Sequence, residues 1–135
     1  MKKIFFSLLL ATLPIAAVHA DNLSTDAKKI AIALSRIPVT DKGFGYKNLG
    51  ERLSKVGMSV EFVKSTTIGK GEDEPPDIFA GDEVIDFFLT EPNAVVKAIC
   101  PINGGIASYV VRGKKIIPQT RTAYWLMTNR CDYKG

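Results

Sequence analysis

Regular spacing of apolar side chains predicts two helices in the first half of the chain. Residues 23–37 have an apolar stripe at three- and four-residue intervals, made of Ala27, Ile30, Ala31 and Leu34, and this spacing is typical of one helix face. The candidates for its N-cap are Ser24, Thr25 and Asp26, and Pro38 ends it. A second, shorter helix is indicated by Tyr46, Leu49, Leu53 and Val56, with Gly57 as its C-cap. The charged residues beside the first stripe are expected on a solvated face: Lys28, Lys29 and Arg36.

The pattern then changes to alternation, which predicts strands. Residues 58–64 place Met58, Val60 and Phe62 on one face. Residues 84–90 are apolar on both faces except at Asp86. Because Phe87 and Phe88 are neighbours in this strand, their side chains point to opposite faces. At least one of them is therefore expected to pack against something beyond a single-layer core, which is either a helix or a second copy of the chain.

The last third of the chain also favours strands. Residues 106–112 and 115–118 flank Gly113-Lys114, and a two-residue connection with glycine first predicts a type II′ hairpin turn. Residues 122–129 are rich in alternating apolar and aromatic side chains and predict a further strand. Residues 94–100 fit either a strand or a short helix capped by Asn93, and their β-branched residues favour the strand.

Together these segments predict an α+β fold in which two N-terminal helices precede an antiparallel sheet of about five strands. One disulfide, between Cys100 and Cys131, is expected to staple the sheet, since these are the only two cysteines. Their separation of 31 positions makes such a bond worth roughly 3 to 4 kcal/mol.

The beginning of the chain has the pattern of an export signal. Lys2 and Lys3 precede an apolar run over residues 4–17, and Val18-His19-Ala20 is a small-residue cleavage pattern. Residues 1–20 are therefore interpreted as a cleaved Sec signal peptide and residues 21–135 as one domain, located in a bacterial periplasm. No later stretch approaches the roughly 20 apolar residues of a membrane span, so no stable membrane anchor is expected.

The residue types of the mature domain exclude several kinds of chemistry. Its 115 residues contain no histidine, because His19 lies in the leader, and no thiol once the two cysteines pair. This composition argues against imidazole and thiol catalysis and against most zinc and haem sites. We expect no cofactor, no metal and no enzymatic activity. The one enzymatic alternative is a glycan hydrolase that uses two carboxylates, with Asp82, Glu83 and Asp86 as candidates.

Charge is distributed unevenly along the mature domain. The whole chain has 18 basic and 14 acidic residues, and removal of the two leader lysines lowers the net charge from +4 to +2, too little to suggest a nucleic-acid partner. Residues 72–91 contain eight acidic and no basic residues. They lack the alternating oxygen ligands and central glycine of an EF-hand loop. The segment is interpreted either as a solvated loop, which is the favoured alternative, or as a protein-binding surface. The candidate binding residues are Glu72, Asp73, Glu74, Asp77, Asp82, Glu83 and Phe88.

Three functions are compatible with these features. The favoured one is a non-enzymatic factor that binds envelope or periplasmic proteins as an accessory to a secretion, assembly or virulence system. The first alternative is a periplasmic inhibitor or immunity protein whose acidic loop, Glu72 to Glu83, blocks a cationic enzyme such as a lysozyme or an effector toxin. The second alternative is the carboxylate-based glycan hydrolase. A homodimer formed through a sheet face or edge is a further hypothesis about partners.

Overall fold

A computed structural model describes residues 22–40, 45–71, 78–92, 94–102 and 105–134. The predicted leader, residues 1–20, and the acidic residues Glu72, Asp73, Glu74 and Asp77 lie outside the described residues. Within them the elements occur in the order β1 (Asn22–Ser24), α1 (Ala27–Ser35), α2 (Leu49–Val56), β2 (Val60–Thr67), β3 (Glu83–Leu89), α3 (Ala94–Ile99), β4 (Gly105–Arg112), β5 (Lys115–Pro118) and α4 (Arg121–Thr128).

The five strands form one antiparallel sheet in the order β1-β2-β3-β4-β5. Each strand therefore pairs with the next strand along the chain. The predicted α+β class, the antiparallel sheet and the disulfide between Cys100 and Cys131, whose Cα atoms are 5.8 Å apart, are confirmed. The prediction that two helices precede the whole sheet is only partly matched, because β1 comes before α1 and two more helices follow later.

One face of the sheet packs against the helices and forms the core. Its largest buried side chains include Phe87 and Tyr109, whose rings meet edge to face with centroids 6.0 Å apart. The Tyr109 hydroxyl donates a hydrogen bond to the Ala123 carbonyl oxygen at 3.0 Å, and burial raises the pKa of Tyr109. Residues of α2 and α4, including Leu53 and Leu126, complete the same cluster. The core thus lies between one sheet face and a layer of helices.

Local signals account for several helix ends. The Asp26 carboxylate caps α1 by accepting hydrogen bonds from the backbone N–H groups of Lys28 and Lys29. Gly57 ends α2 in the left-handed conformation, with φ of 73°, where glycine avoids the steric cost of a Cβ atom. The N-cap of Asp26 and the C-cap of Gly57 both belong to the sets predicted from the sequence.

Two predicted strands are wrong, because the segments are helical. Residues 122–129 belong to α4, which is capped by the Thr120 hydroxyl accepting from the Ala123 N–H. Since α4 is buried on more than one side, its apolar residues satisfy a strand pattern as well as a helix pattern. Residues 94–99 form α3, which is the helical alternative for this segment, because the β propensity of its β-branched residues depends on context and does not decide the structure.

A β-bulge in β2 corrects the predicted placement of Phe62. Val60 pairs with Leu89, whereas Phe62 pairs with Phe88, and the register shifts between the two. One extra residue in a strand reverses the facing of every residue beyond it. Phe62 therefore shares a face with Phe88 and not with Val60, which packs against the core.

The hairpin between β4 and β5 agrees with its prediction. Gly113 has φ of 62° and Lys114 has a negative φ, since Asn129 is the one non-glycine residue with positive φ in the described part of the chain. A positive φ at the first turn residue and a negative φ at the second is the pattern of a type II′ turn, whereas type I′ needs a positive φ at both.

In the same described ranges, none of the helices has the length and hydropathy of a membrane-spanning segment.

Candidate interaction face of the sheet

The face of the sheet opposite the core, here called the outer face, has an aromatic pair at its centre. Phe62 on β2 and Phe88 on β3 are direct cross-strand neighbours, and their rings stack with centroids 4.2 Å apart and planes 19° from parallel. Ile106 on β4 lies directly beside Phe88 in the register and is 43% exposed. These three side chains form a continuous apolar row across the three central strands.

A mixed row lies next to this apolar row. It contains, from β1 to β4, Leu23, Lys64, Asp86 and Ser108. Leu23 is 62% exposed, although it is a large aliphatic residue. Asp86 is half-buried, and its carboxylate makes no hydrogen bond or ion pair with another described residue. The outer face therefore combines exposed apolar area with one carboxylate whose hydrogen-bonding capacity is open.

The helices do not cover the apolar row. The sheet residues that pack with the core side chains of the helices lie on the other face of the sheet. Ile85, Phe87 and Tyr109 are examples. At the far end of the outer face, the Phe79 ring lies over the Arg112 guanidinium, with 5.1 Å between the ring centroid and Cζ. That contact is at the β4 end near Lys115, several residues along the strand from Ile106.

Asp82, one of the predicted binding residues, lies in an intramolecular ion pair. Its two carboxylate oxygens accept hydrogen bonds from Nε and Nη2 of Arg112, both at 2.8 Å, and Oδ2 also accepts from the Phe79 N–H at 2.8 Å. The Arg112 hydrogen bonds, followed by the one from Phe79, lower the pKa of Asp82 to about 2. The carboxylate is buried, so its charge is directed at Arg112 and not at solvent.

Glu83 is paired in a similar way at the end of α1. Its carboxylate accepts hydrogen bonds from both Nη atoms of Arg36, at 3.0 and 2.7 Å, and from the Ser65 hydroxyl at 2.8 Å. The Arg36 hydrogen bonds hold the pKa of Glu83 below its usual range, and the Ser65 hydrogen bond adds to this effect. Arg36 was expected on a solvated face, but its guanidinium ties α1 to the first residue of β3.

These positions separate the predicted site residues into three groups. Phe88 lies half-buried on the outer face, whereas Asp82 and Glu83 are held by arginines of the same chain. The other four acidic candidates, Glu72, Asp73, Glu74 and Asp77, lie outside the described residues. Among the residues that the structure describes, no group of three or more acidic, histidine or cysteine side chains is arranged to hold a metal ion.

Sequence reasoning missed three members of the outer face. Leu23 belongs to a strand of three residues, which is too short to show an alternation pattern. Phe62 was assigned to the other face because a bulge cannot be read from alternation. Ile106 was predicted in a strand, but its exposure follows from its place on the sheet face opposite the described helices. Comparison of the chain with protein-family models, with characterised proteins and with solved structures gave no match.

Proposed function

We propose that this protein is a non-enzymatic protein-binding factor of the bacterial periplasm that acts as an accessory to an envelope secretion, assembly or virulence system. In this proposal the outer face binds an envelope protein, with Phe88 at the centre of the contact.

The observation that carries the proposal is the apolar row of Phe62, Phe88 and Ile106 on the face opposite the helical core, in which Ile106 is exposed and the two phenylalanines are half-buried. Contiguous apolar side chains that remain partly accessible on a sheet face commonly mark interaction sites. Aromatic residues are also frequent among the residues that dominate binding energy, particularly when polar contacts surround them. Asp86 lies beside the row and offers its carboxylate to a basic group of the partner.

The inhibitor alternative depends on a different surface. A carboxylate that already accepts hydrogen bonds from an arginine of its own chain has less to offer a cationic enzyme. Asp82 and Glu83 are both in this situation. An inhibitory acidic loop would therefore act through Glu72, Asp73, Glu74 and Asp77.

Capture of partners from an envelope extract distinguishes these functions. The disulfide-bonded mature chain would be immobilised in three forms: unmodified, with Phe88→Ser and Ile106→Ser together, and with Ile32→Ser. Ile32 serves as a control because it is an isoleucine that is 57% exposed, against 43% for Ile106, and it is located on α1 and not on the outer face. We expect the unmodified chain and the Ile32→Ser variant to retain the same envelope protein and the double variant to lose it.

A fourth form tests the acidic segment. It replaces Glu72, Asp73, Glu74 and Asp77 with the corresponding amides. If this variant loses the partner while the outer-face variant retains it, the proposed function is wrong and the inhibitor alternative is favoured. Sedimentation of the purified chain serves as a further control, because dimerisation through Phe88 would mean that a second copy occupies the face.

A further inference from the structure

A groove runs along α1 on the helical side of the sheet, and its lining also includes Leu23 of the edge strand β1. Its volume is about 440 Å³, which is within the range of roughly 300 to 1,000 Å³ that small-molecule sites occupy. One wall is formed by α1 and the floor by β2 and β3. The lining residues used below are Lys29, Ile32, Ala33 and Arg36 on α1, and Val63 and Ile85 on the sheet.

The middle of the groove is apolar and reaches the core. Val63 and Ile85 on its floor are buried core residues. Above them, α1 has no fully buried residue, and Ile32 is 57% exposed. The exposed apolar area of this part of the groove is therefore on Ile32, next to the core, where a hydrocarbon chain would gain roughly 25 cal/mol for each Å² removed from water.

Charge along the groove is asymmetric. Lys29 and Arg36 are seven residues apart, which corresponds to about 10 Å along a helix axis. The charge of Arg36 is balanced by Glu83, which also lines the groove. The Lys29 side chain is exposed and has no ion pair or hydrogen bond with another described residue. One uncompensated positive charge therefore lies at one end of an apolar channel.

We propose that this groove binds a medium-chain fatty acid. Its carboxylate pairs with the Lys29 ammonium, and its alkyl chain lies beside Ile32 and over Val63 and Ile85. A single ammonium suits a monoanionic carboxylate. Phosphate recognition more often uses an arginine fork, and the guanidinium of Arg36 is already bound to Glu83. This ligand site does not use the apolar row of Phe62, Phe88 and Ile106 and is independent of the proposed function.

Titration calorimetry with sodium decanoate, below the concentration at which it aggregates, tests the proposal on the disulfide-bonded mature chain. Lys29→Glu is expected to weaken binding about fivefold, because exposed ion pairs contribute modestly and charge reversal adds repulsion. Ile32→Ser is expected to weaken it by a similar factor through lost apolar contact. Both residues are exposed, so thermal unfolding should show that the variants remain folded.

Two variants serve as matched controls. Lys28→Glu makes the same charge change at the preceding residue of α1, which does not line the groove. Phe88→Ser alters only the outer face. Both should bind decanoate within about twofold of the unmodified chain. If Lys28→Glu and Lys29→Glu weaken decanoate binding equally, the proposal is wrong. It is also wrong if decyl maltoside binds as tightly as decanoate, because that detergent has an alkyl chain of similar length and no charge. An unmodified chain that does not bind decanoate would overturn it directly.

Discussion

The adjacent residues Phe87 and Phe88 provide a direct test of the two sheet faces. Phe87 is fully buried and meets the Tyr109 ring edge to face. Phe88 is half-buried and has its main ring contact with Phe62. We therefore expect Phe87→Ala and Phe88→Ala to have different effects on the free energy of unfolding, although the two residues have the same side chain and adjacent positions in one strand.

The expected magnitudes follow from these surroundings. Truncation of a buried phenylalanine loses its transfer free energy and leaves a cavity, at a total cost of about 3 to 5 kcal/mol. At position 88 the loss consists of the stacked contact, about 0.5 to 1.5 kcal/mol, and a part of the area term, with no closed cavity. We estimate about 1 to 2 kcal/mol for Phe88→Ala on the same principles, so the two variants should differ by about 2 kcal/mol or more.

Urea unfolding followed by tryptophan fluorescence is the appropriate assay. Trp125 is the one tryptophan of the chain, and it is buried in α4, so its emission reports loss of the core. Both variants should keep the disulfide and a similar dependence of the unfolding free energy on urea concentration. Equal destabilisation by the two substitutions, or a larger loss for Phe88→Ala, would refute the assignment of Phe88 to the face opposite the core.

Three other features of the fold have measurable consequences. Replacing Cys100 and Cys131 together with serine should cost roughly 3 to 4 kcal/mol, and an unchanged urea midpoint would contradict a structural role for the bond. Gly113→Ala should cost roughly 1 to 2 kcal/mol, because φ is 62° at this position. An added Cβ would meet no other atom within 4 Å, so the cost comes from the backbone conformation and not from a clash. A neutral effect on thermal unfolding would argue against the type II′ turn. The pKa of Asp82 is about 2 instead of about 3.8, so its carboxylate stabilises the fold above about pH 4 and loses that contribution as the pH falls to about 2. The stability difference between the unmodified chain and Asp82→Asn should therefore shrink over this window in urea titrations, and a constant difference would show that the Arg112 pair does not contribute.

Elements with one buried face could be predicted from the sequence. In β3, residues alternate between the core and the outer face, and the separation of Phe87 from Phe88 followed directly from that alternation. The first two helices are amphipathic, and the hairpin turn is marked by Gly113. In each case a local pattern and the tertiary packing agree, which is the condition for reliable inference from sequence.

The other elements depend on tertiary contacts that leave no periodic pattern. Buried residues such as Trp125 and Leu126 lie on several sides of α4, so the apolar residues form a nearly continuous run. The available signal was the cap at Thr120, whose hydroxyl accepts from Ala123 N–H. On the outer face, Phe62 depends on a bulge and Leu23 on a three-residue strand. Neither feature can be inferred from hydrophobicity alone.

The central claim, that the outer face binds an envelope protein, is tested most directly by site-specific photocrosslinking in the native host. A photoreactive phenylalanine analogue would replace Phe88 in one strain and Lys55, an exposed residue of α2, in another. We predict a crosslinked product with an envelope protein from position 88 and none from position 55. Products from position 55 alone, or products from position 88 that contain only a second copy of this chain, would contradict the claim.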